Sequence, residues 1–358
     1  MLHICLIGPI PPPWGGVQTH MMELRSRIRE AGMRCSMINL TRHRQPEHDD
    51  LYFPSTAVDL MRQLRALNPD VVHLHTGGAF FLKHAGLLLY LAMRPRSASV
   101  FTFHSGGFPT SPEGRAARAS SIRGFVLRRL DAVIGVNREL VQTFARYGVR
   151  PERNHLIEPH ADNLDHAAIR SEALPPSIAE FANSHSPLLV TVGLLEPEYA
   201  LELQLAALPA IRSRHSGAGL VIIGSGSLDS ALREAIANHP DREHVLLCGD
   251  VPRPKTLATI ARATMLLRTT RYDGDALSVR EALAIGTPVV ATDNGMRPPG
   301  VLLLDALTPG AIAEGVTAVM TRSANNGAGP SPATEPPPRT EADPIGRVLD
   351  LYRAVMSS

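Results

Sequence analysis

Cysteine is scarce in this chain: three among 358 residues, Cys5, Cys35 and Cys248, far apart and never in CxxC spacing. That excludes a disulfide scaffold and a cysteine-built zinc cluster, and it fits a reducing, cytoplasmic setting. Aromatic residues make up only 4%, too few for the stacking platforms that grip single strands, so nucleic acid is not an expected partner. Long apolar runs are missing as well. The longest, Ala85 to Met93, is less than half a bilayer crossing, so no membrane span is expected. The opening LHICLIG runs into GPIPPPWGG with no basic leader or small-residue cleavage site, and reads as a first β-strand rather than an export signal. Fifteen histidines are present but none stands in HxxxH or HExxH spacing, and no Gly-x-Ser-x-Gly elbow or Walker loop occurs. Metal-site, hydrolase and P-loop readings therefore have no local motif behind them, and neither metal nor cofactor is expected.

What is present points to two α/β domains. A length of 358 residues suits two domains, and 44% hydrophobic with 20% charged residues is an ordinary balance for well-filled cores. Residues 1–150 carry 19 Lys+Arg against 10 Asp+Glu, a net +9, while the remainder is net −7. A basic half suggests an anionic partner there, such as phosphorylated lipid at a membrane surface; a solvated arginine surface is the plainer alternative, since only Lys83 and Lys255 are lysines. Apolar strands at 2–8, 71–75, 99–103 and 131–136 alternate with helical spacing at 20–31 and 55–67 and with a basic helix around Ala117–Leu130. The second half alternates more cleanly, with strands at 188–193, 220–224, 245–249, 265–268 and 288–292. Helices fall between them at 199–214, 228–238, 255–262 and 276–285. Continuous apolar strands separated by amphipathic helices mean parallel sheets covered on both faces.

The weakest stretch for order, Leu164 to Ser186, marks the expected boundary, with domains at 1–163 and 164–322. Residues 323–344, rich in Pro, Gly and Ser, cannot bury enough apolar surface and read as a flexible insert. Beyond it, Ile345, Val348, Leu349, Tyr352 and Val355 stand at helical spacing, and this last helix, within 345–358, is expected to pack back on the first domain.

Three places carry chemistry. Gly15-Gly16, between the first strand and first helix, could bring backbone amides to an anion at a helix N-terminus, although a GG turn can also be a mere connection and this one is not GxGxxG. From Arg271 through Asp273, Gly274, Asp275, Ala276, Leu277 and Ser278 an acidic loop enters a helix holding Glu281, which ends at Gly286-Thr287-Pro288. The amides of 274–278 could hold a diphosphate, Glu281 ribose hydroxyls and Asp273 a sugar; equally, Asp273 and Asp275 could simply complement the helix dipole. His104 follows a strand, where ligand sites in such sheets lie, and its imidazole could polarise a leaving phosphate or orient a hydroxyl. His73 and His75 alternate with apolar residues, which suggests that one faces the core and that both are mainly structural. His20 is a weaker contact candidate.

Taken together, the two-domain alternation, Gly15-Gly16, the segment Asp70-Val71-Val72-His73-Leu74-His75 and the Asp273-to-Glu281 stretch resemble a family 4 glycosyltransferase of the GT-B fold. The resemblance spans nearly the whole chain outside the Pro-rich insert. It implies two Rossmann-like, doubly wound domains facing across a cleft, and retaining transfer from a nucleotide-sugar donor without metal. It further implies Glu281 at the ribose, Asp273 (Asp where Glu is usual) at the transferred sugar, Gly224 and Val251 beside the nucleobase, and His104 near sugar and β-phosphate. One departure stands out. After Gly193 the family has an arginine and then a lysine against the diphosphate, where this chain has Leu194 and Tyr199. Either Arg271, Arg280, Arg297 or Arg253 substitutes, or the chain is a catalytically impaired nucleotide-sugar-binding protein; a nucleotide-sugar epimerase is disfavoured by the acidic pair. The expected acceptor is a glycan or lipid-linked sugar in cell-surface polysaccharide assembly, with peripheral contact at the inner face of the membrane through the basic half.

Overall fold

The computed structural model describes every residue except 12–14, 42–43, 78–81, 95, 159–163, 272, 275, 296, 326–342 and 358, together with the side chains of all described residues other than 82–85, 323 and 325. The chain divides into two compact units, one of Met1–Pro12, Gly16–Pro159 and Glu341–Ser358, the other of Pro13–Gly15 with His160–Thr340. Most of the Pro-rich insert lies outside the described residues, and Ser323–Asn325 close the helix Pro309–Asn325.

The first unit holds one parallel sheet. Its strands are β1 (His3–Gly8), β2 (Arg34–Asn39), β3 (Leu51–Tyr52), β4 (Val71–Thr76), β5 (Ala98–Phe103), β6 (Ala132–Gly135) and β7 (Asn154–Leu156), in spatial order β3-β2-β1-β4-β5-β6-β7. Alternation along each strand decides which face a side chain takes. Cys5, Ile7, Val72 and Leu74 meet Leu60 and Leu64 of helix Ala57–Leu67 on one face. Ile4, Leu6 and Val71 meet Met21, Leu24 and Ile28 of helix Gly16–Glu30 on the other.

That second face is completed by the chain's last helix, Pro344–Ser357, whose Ile345, Val348, Leu349 and Tyr352 join the same core. Asp343 starts this helix by accepting from the Ile345 amide at 3.1 Å and pairs with Arg27 at 2.5 Å. Arg347 donates to the Leu156 carbonyl at 2.7 Å. Burial of six side chains, not local propensity, therefore holds the helix.

The second unit repeats the design with β8 (Leu188–Val192), β9 (Gly219–Ile223), β10 (Val245–Gly249), β11 (Met265–Arg268), β12 (Val289–Thr292) and β13 (Leu302–Leu304), ordered β10-β9-β8-β11-β12-β13 and all parallel. Both sheets reverse strand order beside their first strand, between β1 and β4 and between β8 and β11. Crevices for ligands open at the carboxyl ends of such switch points.

Two expectations need correction. The stretch 164–186 is ordered: Asp165 caps helix His166–Ser171 through the Ala167 and Ala168 amides, and helix Pro176–Ser184 buries Ile178 fully. The basic helix expected over 117–130 is reduced to Ile122–Leu127, started by the Ser121 cap; Ser121 accepts from the Gly124 amide and so sets the start five residues late.

Candidate functional site

The crevice of the second unit is built around a guanidinium. Arg268 is the last residue of β11, and the strand's apolar run MLLR delivers it to the carboxyl edge of the sheet while keeping it 6% exposed. Its Nη1 donates to the Val192 carbonyl at the end of β8 (2.9 Å), and its Nε and Nη2 form a two-pronged bond to Asp273 at 2.8 and 3.1 Å. The Tyr199 ring lies over it, 4.6 Å from the guanidinium carbon to the ring centre, a cation–π contact. Arg297 approaches the same carboxylate from the loop after β12, with Nη1 2.9 Å from Asp273 Oδ2 and Nη2 2.9 Å from the Thr270 hydroxyl. Asp273 also accepts from the Gly274 amide at 2.9 Å.

Among the described residues, the Asp273 carboxylate stands between the two buried guanidiniums. Burial alone would raise the Asp273 pKa, but Arg268 and Arg297 outweigh it and hold the carboxyl below its ordinary value. Burial likewise disfavours the Arg268 charge, and Asp273 with Tyr199 more than restores it.

Glycines make room at this edge. A Cβ on Gly193 would stand 2.2 Å from the Tyr199 ring and 2.9 Å from Arg268 Nη1, and one on Gly224, at φ +138°, would stand 1.8 Å from the Gly193 carbonyl. Both positions therefore exclude side chains. Gly224 also donates to the Gly249 carbonyl at 2.9 Å, which ties together the carboxyl ends of β9 and β10.

The remaining expected donor residues fall as follows. Glu281 sits in the second turn of helix Leu277–Ile285, 5% exposed, with Arg253 Nη2 at 2.9 Å. Among the described residues no side chain caps that helix, whose N-cap is Ala276, so the amides of its first turn are available to an anion. Val251 is buried beside the start of helix Arg253–Arg262. Arg271 turns instead to Glu202 at 2.6 Å, with both side chains about half exposed. Asp275 lies outside the described residues. Of the four arginines considered as substitutes, Arg297 meets Asp273 and Arg253 meets Glu281. Arg268 was not among them, because at the end of an apolar strand it reads as an ordinary strand terminus. Tyr199, read as the loss of a cation, is the lid over that arginine.

The crevice of the first unit is built from imidazoles. Gly16 begins helix Gly16–Glu30 and His20 lies in its first turns; the Gly15-Gly16 turn brings no side chain of its own. His73 and His75 both face the side opposite Val72 and Leu74, two residues apart on one strand, which corrects the expectation that only one points inward. His73 is satisfied by the Tyr352 hydroxyl at 2.5 Å and the Thr102 hydroxyl at 2.7 Å. His75 Nδ1 lies 3.1 Å from His104 Nε2, and His20 joins them with ring centres 5.7 and 5.2 Å away. Burial lowers all four; His20 falls to about 4, and in His75 and His104 the neighbouring histidines add to the effect. These rings are neutral near pH 7.

With this geometry in view, sequence profiles decide the family. The profile of Glycosyltransferase Family 4 matches residues 14–162, and that of Glycosyl transferases group 1 matches residues 178–306. The chain belongs to the family 4 glycosyltransferases. Among curated proteins, this glycosyltransferase-family chain is 29% identical over 241 residues to the phosphatidyl-myo-inositol mannosyltransferase of Propionibacterium freudenreichii, covering 66% of this chain and 56% of that protein. It spans little more than half the length of the first curated relatives it matches.

Among solved structures, Anabaena HepE in complex with UDP and glucose superposes with a TM-score of 0.68 at 13% identity, covering 100% of this chain and 99% of that one. The sucrose-phosphate synthase of Thermosynechococcus elongatus superposes with a TM-score of 0.66 at 16% identity, covering 100% and 97%. These likenesses establish the fold, two Rossmann-like parallel α/β units of the GT-B class. Among the described residues no helix is long and apolar enough to cross a membrane.

Proposed function

We propose that the chain is a retaining glycosyltransferase that moves a sugar from a nucleoside-diphosphate donor to a glycan or lipid-linked acceptor in cell-surface glycoconjugate assembly. The observation that carries this is the Arg268–Asp273–Arg297 group at the switch point of the second sheet. In transfer, the bond from the anomeric carbon to the β-phosphate oxygen breaks, the acceptor oxygen bonds to that carbon, and the acceptor proton leaves with the diphosphate. Negative charge grows on the leaving phosphate. Two fixed guanidiniums, with the helix N-terminal turn at 276–278, are preorganised to meet it.

Glu281 remains our candidate for the ribose hydroxyls and Gly224 and Val251 for the base. The two oxygens of Asp273 are already engaged by five donors, so its first role is to hold the arginines, and sugar recognition uses what capacity is left. In the first unit, His104 is a neutral imidazole fit to orient an acceptor hydroxyl.

Acceptor and location are proposed on charge and surface. The basic first unit exposes Ile122 (64%) and Phe125 (44%) beside Arg123 and Arg129, an apolar-basic patch suited to an anionic leaflet on the cytoplasmic side. The mannosyltransferase relative, whose name specifies a phosphatidylinositol acceptor, supports a lipid-linked acceptor in this chain as well.

The test is a thermal-shift screen with UDP, GDP, ADP and dTDP followed by product analysis with the matching sugar nucleotides and lipid-linked acceptors. A nucleoside diphosphate that stabilises wild type but not Arg268→Ala, with a retained-configuration product, is the expected result. Stabilisation without any product would favour the impaired, binding-only reading that Leu194 and Tyr199 raise.

A further inference from the structure

Outside the donor crevice, the first unit gathers three imidazoles that no local spacing announces. His20 comes from helix Gly16–Glu30, His75 from β4, and His104 from the residue after β5. One ring nitrogen from each lies within 4.8 Å of the others. The ring centres form a nearly equilateral triangle of 5.7, 5.2 and 5.4 Å. Zinc held tetrahedrally by imidazole nitrogens at about 2.0–2.1 Å places ring centres roughly 5 Å apart and ligand nitrogens about 3.3 Å apart. The His75 Nδ1 and His104 Nε2 pair, at 3.1 Å, already stands at that spacing.

His75 is fully buried and turns Nδ1 to His104, while its Nε2, on the other side of the ring, has no hydrogen-bond partner among the described residues and takes no part in the site. His20 and His104 are only half-buried.

We propose that His20, His75 and His104 form a binding site for a divalent transition-metal ion, zinc by ligand chemistry. Imidazole nitrogens without carboxylate or thiolate select zinc, nickel, cobalt or copper over magnesium and calcium. The ion would pin the first helix to the carboxyl ends of β4 and β5. The site lies wholly within the first unit and stands or falls independently of the donor reading. Because the His104 nitrogen can serve a metal or a hydroxyl but not both at once, binding is measured without acceptor.

The experiment uses the full, tag-free chain stripped of metal. Zinc chloride is titrated by calorimetry and cobalt chloride by its visible d–d bands, and the zinc-loaded protein is examined by X-ray absorption. One equivalent bound, a first shell containing three imidazoles, and zinc affinity at least tenfold weaker in both His20→Ala and His104→Ala are expected. His244→Ala, which disrupts only the His185–His244 pair of the second unit at 2.9 Å, should leave affinity unchanged. Absence of saturable binding, a shell with fewer than two imidazoles, or equal affinity in His20→Ala would overturn the proposal. X-ray absorption on the unmodified chain decides it even if a variant fails to fold.

Discussion

The two switch-point crevices share a topology and differ in their electrostatics. Where β1 and β4 part, the first unit places neutral histidines that can gain protons, ligate a metal or exchange hydrogen bonds. Where β8 and β11 part, the second unit places arginines and carboxylates whose charges are fixed across the working pH range. The fold supplies a crevice at the same place in both; the strand-terminal side chains decide whether it titrates or stays charged. The first is suited to hydroxyls and soft cations, the second to phosphate.

The largest effect expected from breaking this contrast is at Arg268. Arg268→Ala leaves Asp273 with one guanidinium in a buried site, and loss of one partner of such a pair costs about 3–5 kcal/mol. Chemical denaturation of the second unit should show it, together with loss of nucleotide-induced stabilisation. Next is Asp273→Asn. Transfer should be lost while nucleoside-diphosphate affinity does not fall, because both arginines keep their charge and lose their internal anion. Calorimetry with UDP or GDP beside a turnover assay checks this; a parallel loss of both would return Asp273 to direct donor contact.

Acid should separate the units by degree. The first unit's histidines have folded pKa values below the unfolded 6.5, with His20 at about 4. The unfolded chain therefore takes up protons first, and stability present above about pH 6.5 is lost as the pH falls toward 4, by up to about 1.4 kcal/mol per pH unit for each histidine. Asp273 is depressed as well, so its contribution persists above the ordinary carboxylate pKa of 3.8 and is lost only below it. Unfolding followed by pH, with the lone Trp14 replaced and single probes placed in each unit, should show the first unit failing earlier. Simultaneous loss would contradict the comparison. The smallest effect is at Arg271. Its half-exposed pair with Glu202 is worth at most about 1 kcal/mol, and Arg271→Ala should leave nucleotide affinity unchanged in calorimetry.

Much of this architecture can be read from the residues. Five of the six strands of the second unit stand within a residue of their observed ends because each is bounded by turn or helix signals, whereas the short edge strand β13 was missed. The Asp165 cap and the Pro175-Pro176 entry to a helix were available in the 164–186 stretch, but its high polarity masked them. The paired faces of His73 and His75 follow from the two-residue period of a strand once the strand is granted.

The chemistry was less legible. His20, His75 and His104 are brought together only by parallel pairing of β1, β4 and β5, which no spacing encodes. Arg268 was hidden because a strand-terminal arginine carries no motif. Its meaning comes from Asp273 five residues on and Arg297 across the sheet edge.

The central claim is that the arginine–carboxylate group fixed at the end of β11 receives a diphosphate. Its most direct test is calorimetric binding of a nucleoside diphosphate and of the matching nucleoside to wild type and to Arg268→Lys, which keeps the charge but loses the two-pronged bond to Asp273. With charge-assisted bonds worth about 1.5–3 kcal/mol each, diphosphate affinity should drop roughly tenfold or more while nucleoside affinity stays constant. Equal diphosphate affinity in the two proteins would contradict the account.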